Sequence, residues 1–200
     1  MEAPGSASAW TSVTDRAALV VLLRGVNVGG HRVFRPAGFA AQWPRLGLVN
    51  IGATGTFVVH RRVARARLRA EIARRLPFAA NIFVCAAGDL VRLLQHRCFT
   101  DLPMRRDEVR FVAVLEGAPR AMPKLPLELP DRGPWLIRLL ARKGRFVLGV
   151  HRRRMQVLRQ FAALNRMLGE QMTIRSFGTI AMVASVLART GRPRGAATRR

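Results

Sequence analysis

Two patterns of apolar and polar residues in the first half of the chain predict secondary structure. Residues 17–23 (AALVVLL) are apolar without interruption, which is typical of a strand buried on both faces. Over residues 63–76, apolar residues recur at every fourth position among arginines, which predicts an amphipathic helix that Pro77 ends. Three shorter segments are predicted as strands because their residues favour β structure: 48–51, 56–60 and 81–86.

Two further helices are predicted in this half. One begins at Pro36 and ends at Gly47, because proline suits the first turn of a helix and glycine its end. The other is short and is capped by Gly88-Asp89. Residues 17–87 therefore read strand, helix, strand, strand, helix, strand, which is the ferredoxin-like arrangement of an α+β domain. We expect the first of these strands to lie centrally in its sheet.

The second half predicts another set of strands and helices. Strands are predicted over 109–115, 135–140 and 145–150, the last two as a hairpin. Helices are predicted over 155–168 and from Thr179 to Gly191. The residues of the first of these helices that are expected to face inward are Met155, Leu158, Phe161, Ala162 and Leu168.

Prolines are concentrated in residues 117–134, which hold five of the eleven in the chain. Because proline lacks a backbone donor, this stretch is predicted to be an extended arm or a linker without a regular element. We therefore expect two ferredoxin-like α+β subdomains packed together, at 17–100 and at 101–188, the second including the arm. A mobile leader, 1–16, and a basic, disordered tail, 189–200, are expected to flank them.

The charge of the chain is strongly positive. There are 35 Lys and Arg residues against 11 Asp and Glu, which gives a net charge of +24 and a sequence pI near 12.0. All but two of the basic residues are arginine, as the codon usage of a GC-rich genome would produce. The shortage of acids is more informative, because such a charge attracts polyanions such as nucleic acid or an anionic membrane. The alternative is that the positive charge serves solubility and reflects genomic composition, without a binding partner.

Several classes of protein are disfavoured by the sequence. No apolar run approaches the ~20 residues of a membrane-spanning helix, so no membrane partner is expected. Two cysteines cannot form a disulfide framework, which favours a reduced, cytoplasmic protein. Cys85 is expected to be a buried packing residue. Arg97 could lower the pKa of the Cys98 thiol, although a lone cysteine beside one arginine is usually inert. The histidines have no metal-ligand spacing, so neither a metal nor another cofactor is expected.

A glycine-rich segment follows the first predicted strand. Residues 23–30 read LRGVNVGG, and the next two are His31 and Arg32. A P-loop would need Lys and Ser or Thr at those two positions, so a standard nucleoside-triphosphate site is excluded. Backbone N–H groups of such a segment can still hold an anion, although the glycines can equally serve a tight turn without a ligand. The candidate ligand-binding residues are Arg24, Gly25, Asn27, Gly29, Gly30, His31 and, from the second half, Arg175.

The string LRGVNVGG after an apolar strand resembles the signature of a bacterial family of unknown function, DUF1697. The resemblance continues through NIFVCAAGDL and residues 175–179 and covers most of residues 17–188. It implies two linked ferredoxin-like halves and no established activity. Two turns depart from the family: Gln-Ser-Gly-Asn is replaced by ATGT at 53–56, and Arg-Asn-Trp-Asn-Thr by RSFGT at 175–179. A polar site that the family shared at these turns would therefore be altered in this chain.

Three functions remain open from the sequence. The leading hypothesis is a protein that binds a small phosphate-bearing or other anionic ligand at the LRGVNVGG segment. The second is an enzyme of unknown reaction that uses His31 as acid or base in the same cleft. The third is non-specific nucleic-acid binding. Its candidate residues are Arg62, Arg65, Arg69, Arg152, Arg153 and Arg154, the last three expected at a helix start, where the helix dipole disfavours cations.

Overall fold

The computed structural model describes residues 18–26, 34–119 and 122–190, and its architecture is α+β with two antiparallel sheets. The chain divides into two compact units. Residues Met1–Val91 and Ala181–Arg200 belong to the first unit, and Arg92–Ile180 to the second. The predicted leader, and all of the predicted tail except its first two residues, lie outside the described residues.

The first unit contains a four-stranded sheet. Its elements are β1 (Leu19–Arg24), α1 (Pro36–Ala41), β2 (Leu48–Ile51), β3 (Thr56–Val59), α2 (Arg65–Arg75) and β4 (Asn81–Ala86). The strand order is β2-β3-β1-β4, and every neighbouring pair is antiparallel. The central position predicted for the first strand is therefore confirmed.

Strand β1 is covered on both faces. Val21 and Leu23 belong to a core with Phe57 of β3 and with Leu68 and Ile72 of α2. The side chains that alternate with them, at positions 20 and 22, are fully buried as well. An uninterrupted apolar strand requires this arrangement, because alternate side chains point to opposite faces of the sheet.

Helix α1 ends earlier than predicted. The proline at position 44 disfavours helical geometry in the residue before it, and Trp43 has φ −121° and ψ 49°. A short 3-10 turn, Pro44–Leu46, then leads to Gly47, which has φ +58°. Gly47, which was predicted to end the helix, therefore ends this 3-10 turn instead.

The second unit contains a five-stranded sheet in the order β6-β7-β8-β5-β9. Its elements are β5 (Glu108–Leu115), β6 (Leu127–Leu129), β7 (Ile137–Lys143), β8 (Phe146–Arg152), α5 (Val157–Leu168), β9 (Met172–Ser176) and the first residues of α6 (Phe177–Thr190). Two short helices, α3 (Ala87–Arg92) and α4 (Arg97–Thr100), lie between β4 and β5. Among the residues described, no helix has both the length and the apolar character needed to cross a membrane.

Four local predictions for helices and strands are wrong. Helix α3 begins at Ala87, directly after β4, so Gly88 and Asp89 lie inside it. The proline-rich stretch contains a regular element, because the three residues of β6 pair with β7 at the edge of the sheet. The third and fourth corrections concern residues 172–176, for which no strand was predicted, and α6, which was predicted to be capped by Thr179. Residues 172–176 form β9, and α6 begins at Phe177, where Ser176 Oγ accepts a hydrogen bond from the Thr179 N–H at 3.2 Å.

The inward face predicted for α5 is right only in part. Leu168 is buried as predicted, and Phe161 packs against the core of the second unit. Ala162 is exposed, as are Met155 and Leu158, which are 80% and 62% exposed. Met155 precedes the helix, which begins at Val157, and the other buried side chains of the helix are Val157 and Leu164.

Candidate functional site

The glycine-rich segment leaves the first sheet at the end of β1. Arg24 is the last residue of that strand and pairs with Asn81, the first residue of β4. Gly25 follows with φ +83°, a conformation that glycine adopts without strain. The other predicted ligand residues of this segment lie outside the described part of the chain: Asn27, Gly29, Gly30 and His31.

The turn between β2 and β3 packs against the beginning of this segment. The carbonyl of Gly55 accepts a hydrogen bond from the Leu23 N–H at 2.8 Å. A Cβ atom at Gly55 would lie 2.9 Å from Leu23 Cβ and 3.2 Å from Val26 Cγ2, and its φ is +67°. Glycine is therefore required at this position, although the residues around it differ from the family's turn.

A cavity of about 740 Å³ lies beside helix α1 of the first unit, and we call it the aromatic cavity. It is lined by Phe34, Arg35, Gly38, Phe39, Gln42, Arg75, Pro77 and Phe78. The Phe34 ring is 5.6 Å from that of Phe39 and 5.3 Å from that of Phe78. Phe34 is the first described residue after the glycine-rich segment, so this lining residue is close to the segment along the chain. Among the described residues, two arginines and no acid line the cavity.

A second cavity, of about 720 Å³, lies along α2 and shares Gln42 and Arg75 with the first. We call this cavity the arginine groove. It is lined by Gln42, Trp43, Pro44, Arg45, Leu46, Arg62, Val63, Ala64, Arg67, Glu71 and Arg75. Of these residues, only Arg62 is a binding residue predicted from the sequence. The spacing of Arg67, Glu71 and Arg75 at intervals of four is a signal that places them on one face of α2.

Three of the predicted nucleic-acid-binding residues lie on or just before α2. Arg62, Arg65 and Arg69 are all exposed. Their exposure leaves them accessible to a large anionic partner.

The helix start predicted at residues 151–154 is wrong. Arg152 is the last residue of β8, because that strand continues to pair with β5 up to this position. Its Nη1 donates to both carboxylate oxygens of Asp107, at 2.9 and 2.8 Å, and the guanidinium lies 4.2 Å from the ring centroid of Trp135. Arg153 and Arg154 are exposed.

Arg175 is buried in β9 of the second unit, with 6% of its surface exposed. Its Nη1 donates to Thr173 Oγ1 and to the carbonyl of Ile174, both at 2.8 Å. These bonds hold the guanidinium within its own strand. The turn predicted at residues 175–179 is instead the junction of β9 with α6.

The cysteines and histidines offer little reactive chemistry. Burial raises the pKa of the Cys98 thiol to about 11, because desolvation outweighs the nearby positive charge of Arg110, so the predicted lowering by an arginine is wrong. Cys85 is buried, as predicted. Burial lowers the pKa of His60. Within the described ranges, no three His, Cys, Asp or Glu residues are grouped so that they could hold a metal ion.

Comparison with known protein families identifies the chain. A family model described as "Protein of unknown function (DUF1697)" matches residues 17–128, more than half of the sequence. The chain belongs to the DUF1697 family. The DUF1697 match contains the whole first sheet, and the resemblance predicted from LRGVNVGG is confirmed. No curated protein and no solved structure matches the chain.

The substitution Asp107→Asn in this DUF1697 protein is expected to remove part of its stability at neutral pH. Hydrogen bonds from Arg152 hold the pKa of the Asp107 carboxyl below its ordinary value of 3.8. A carboxyl with a lowered folded-state pKa contributes stability above the ordinary value, and that stability is lost as the pH falls through the lower folded value. The measurement is the midpoint of thermal unfolding from about pH 7 to about pH 2 for both proteins.

The gap between the two unfolding midpoints is expected to close in acid. Asp131→Asn is the matched control, since Asp131 is an exposed carboxyl of the same unit. A gap that stays constant at every pH, or an equal effect of the control, would show that the ion pair of Asp107 with Arg152 does not stabilise the fold.

Proposed function

We propose that this protein binds a small anionic, phosphate-bearing ligand in the aromatic cavity of its first unit. The observation that carries the proposal is a cavity of about 740 Å³ that is lined by Arg35 and Arg75 and by Phe34, the first described residue after the glycine-rich segment. This volume suits a small-molecule ligand, and apolar walls with a few polar groups are typical of such sites. The planar guanidinium of arginine can donate two parallel hydrogen bonds to a phosphate.

The glycine-rich segment contributes the rest of the proposed site. Arg24 and Gly25 stand where it leaves the sheet, and Asn27, Gly29, Gly30 and His31 follow within it. In the proposal, backbone N–H groups of the segment add donors for the same anion. Arg175 is left out, because its Nη1 already donates twice within β9. An enzyme that used His31 in this cavity would need the same ligand to bind first.

The ferredoxin-like fold is part of this proposal. In the first unit, the order β4-β1-β3-β2, with α1 after β1 and α2 after β3, supports it. In the second unit, β7, β8, β5 and β9 are neighbours in the corresponding order, and the proline-rich stretch with β6 stands in place of a first helix. The glycine-rich segment is then the connection from the first strand to the first helix.

A thermal-unfolding screen with nucleotides and sugar phosphates tests the proposed ligand class. At a ligand concentration a hundred times its Kd, binding should stabilise the folded protein by about 2.7 kcal/mol. We expect a phosphorylated compound to raise the unfolding midpoint, its unphosphorylated parent to leave it unchanged, and Arg35→Ala to abolish the effect. Arg35 is exposed, so its replacement leaves the core intact.

Arg65→Ala is the control for this screen, because Arg65 is exposed in the same unit and does not line the cavity. If no phosphorylated compound stabilises the wild-type protein, the proposed ligand class is wrong. If Arg35→Ala keeps the whole effect, the ligand binds elsewhere.

Non-specific nucleic-acid binding is the second candidate function. It is supported by the net charge of +24 and by the exposed guanidinium groups of Arg62, Arg65 and Arg69. Arg153 and Arg154 can contribute, but Arg152 is held by Asp107. The tail after residue 190 adds four arginines and lies outside the described residues.

The salt dependence of duplex DNA binding tests this second candidate. Each phosphate neutralised contributes about −0.9 to the slope of log K against log salt concentration. Replacing Arg62, Arg65 and Arg69 with Ala should therefore flatten the slope by roughly 2.7, measured by fluorescence anisotropy of a labelled duplex. A control variant loses three exposed arginines of the second unit: Arg105, Arg106 and Arg132. Equal slopes for the two variants would mean that α2 is not the interface.

A further inference from the structure

The glycine at position 38 is not required by the packing of the first unit. Gly38 lies inside α1, where glycine is destabilising relative to alanine. Its φ is not left-handed, and among the described side chains a Cβ atom there would meet only Arg35 Cβ, at an ordinary contact distance of 4.0 Å. Alanine would therefore fit the fold. Because Gly38 lines the aromatic cavity, its missing side chain leaves room for a ligand to approach the helix backbone.

The apolar part of the cavity wall consists mainly of aromatic rings. Phe34 and Phe39 are almost wholly buried, with 7% and 4% of their surface exposed, whereas Phe78 is half-buried. The rings of Phe34 and Phe78 are nearly perpendicular, at 87°, and their centroids are 5.3 Å apart. This contact packs the most exposed ring of the three against the core, so its orientation is fixed before a ligand binds.

The charged part of the wall consists of two arginines. Arg35 is the N-cap residue of α1, and Arg75 is the last residue of α2. The Arg75 guanidinium lies 4.2 Å from the ring centroid of Trp43. Such a contact holds the guanidinium without engaging a hydrogen-bond acceptor, so its N–H donors remain available to a ligand. With no acid among the described lining residues, the two arginines balance the two negative charges of one phosphate monoester.

The rest of the wall favours a ligand with a planar base. Gln42 is the one neutral polar side chain among the described lining residues. A sugar without a base would place its hydroxyl groups against phenylalanine, proline and glycine, where they would lose hydrogen bonds to water. A nucleobase instead has faces that stack on an aromatic ring, and this stacking is tolerant because every base has such a face.

We propose that the ligand of the aromatic cavity is a nucleoside monophosphate. Its base lies flat between the backbone of α1 at Gly38 and the ring of Phe78, and its phosphate is held by Arg35 and Arg75. This inference rests on the proposed function and names the ligand class of the same cavity. The site accepts more than one base, and it binds a purine more tightly than a pyrimidine because the purine has the larger stacking face.

Isothermal titration calorimetry of the full chain with matched ligands tests the contribution of the base. Adenosine monophosphate (AMP) and ribose phosphate carry the same phosphate group on the same sugar, and only AMP has a base. Stacking of the base on one aromatic ring should make AMP bind roughly tenfold more tightly than ribose phosphate. Adenosine, which lacks the phosphate, should also bind more weakly than AMP.

The variant Gly38→Ala separates ligand binding from folding. Alanine favours a helix more than glycine does, so this variant should raise the midpoint of thermal unfolding of the free protein by about 2–4 °C. Its methyl group would take up space that the base needs, so AMP should bind no more tightly than ribose phosphate. Gly178→Ala is the matched control, since Gly178 is an exposed glycine of α6 that belongs to the second unit. It should leave the affinity for AMP unchanged.

The variant Phe78→Leu tests the stacking face itself. Leucine keeps the side chain apolar but has no ring, so the preference for AMP over ribose phosphate should be lost while the affinity for ribose phosphate stays the same. Phe78→Trp, which keeps an aromatic face, should preserve the preference. Phe161→Leu is the matched control, because Phe161 is a half-buried phenylalanine of the second unit.

The outcomes distinguish the ligand class from the proposed function. Equal affinities of the wild-type protein for AMP and ribose phosphate would overturn the nucleotide and leave the phosphate site standing. A preference for AMP that survives Gly38→Ala or a folded Phe78→Leu, or that is lost equally in a control variant, would overturn the placement of the base. Binding of neither phosphate compound would overturn the proposed function as well. If Phe78→Leu does not fold, Gly38→Ala decides alone.

Discussion

The first unit depends on the burial of β1. Its side chains from Leu19 to Leu23 are almost wholly removed from water, and its backbone pairs with β3 on one side and β4 on the other. A strand of this kind is stable only as the centre of a covered sheet. Its central position brings the end of β1, the β2–β3 turn and the start of β4 together. The glycine-rich segment of the DUF1697 signature begins there.

The two units use their arginines differently. In the second unit, Trp135 lies between the guanidinium groups of Arg138 and Arg152, at 4.5 and 4.2 Å from the ring centroid. Each guanidinium has a carboxylate partner, Glu128 at 2.6 Å and Asp107 at 2.8 Å. Along α2 of the first unit, several arginines surround one glutamate. This imbalance of charge favours an anionic ligand in the first unit, where the proposed site lies.

Local patterns in the sequence predict the elements of the first unit well. The apolar run of β1 and the period of α2 each depend on neighbouring residues, and the structure contains both elements. Two of the errors in the second unit occur where distant residues decide. Arg152 belongs to β8 because that strand extends along β5, and β9 forms because β5 offers it an edge.

The candidate site was predictable only in part. LRGVNVGG marks one end of the first sheet, but the arginine groove joins Trp43 to Arg62 and Arg75, which are far apart in the sequence. That the buried Trp43 indole N–H has no acceptor among the described residues is visible only in three dimensions. A helix whose N-cap is alanine is a local signal, although it shows nothing about what faces the helix end.

Hydrogen–deuterium exchange, measured by mass spectrometry on the full chain, tests the central role of β1 most directly. Amides of a strand paired on both sides and buried on both faces exchange only when the whole unit opens. We therefore expect the peptide containing Leu19–Arg24 to exchange last in the first unit, well after the edge strand Leu48–Ile51. Exchange of β1 as fast as that of β2 would contradict the account.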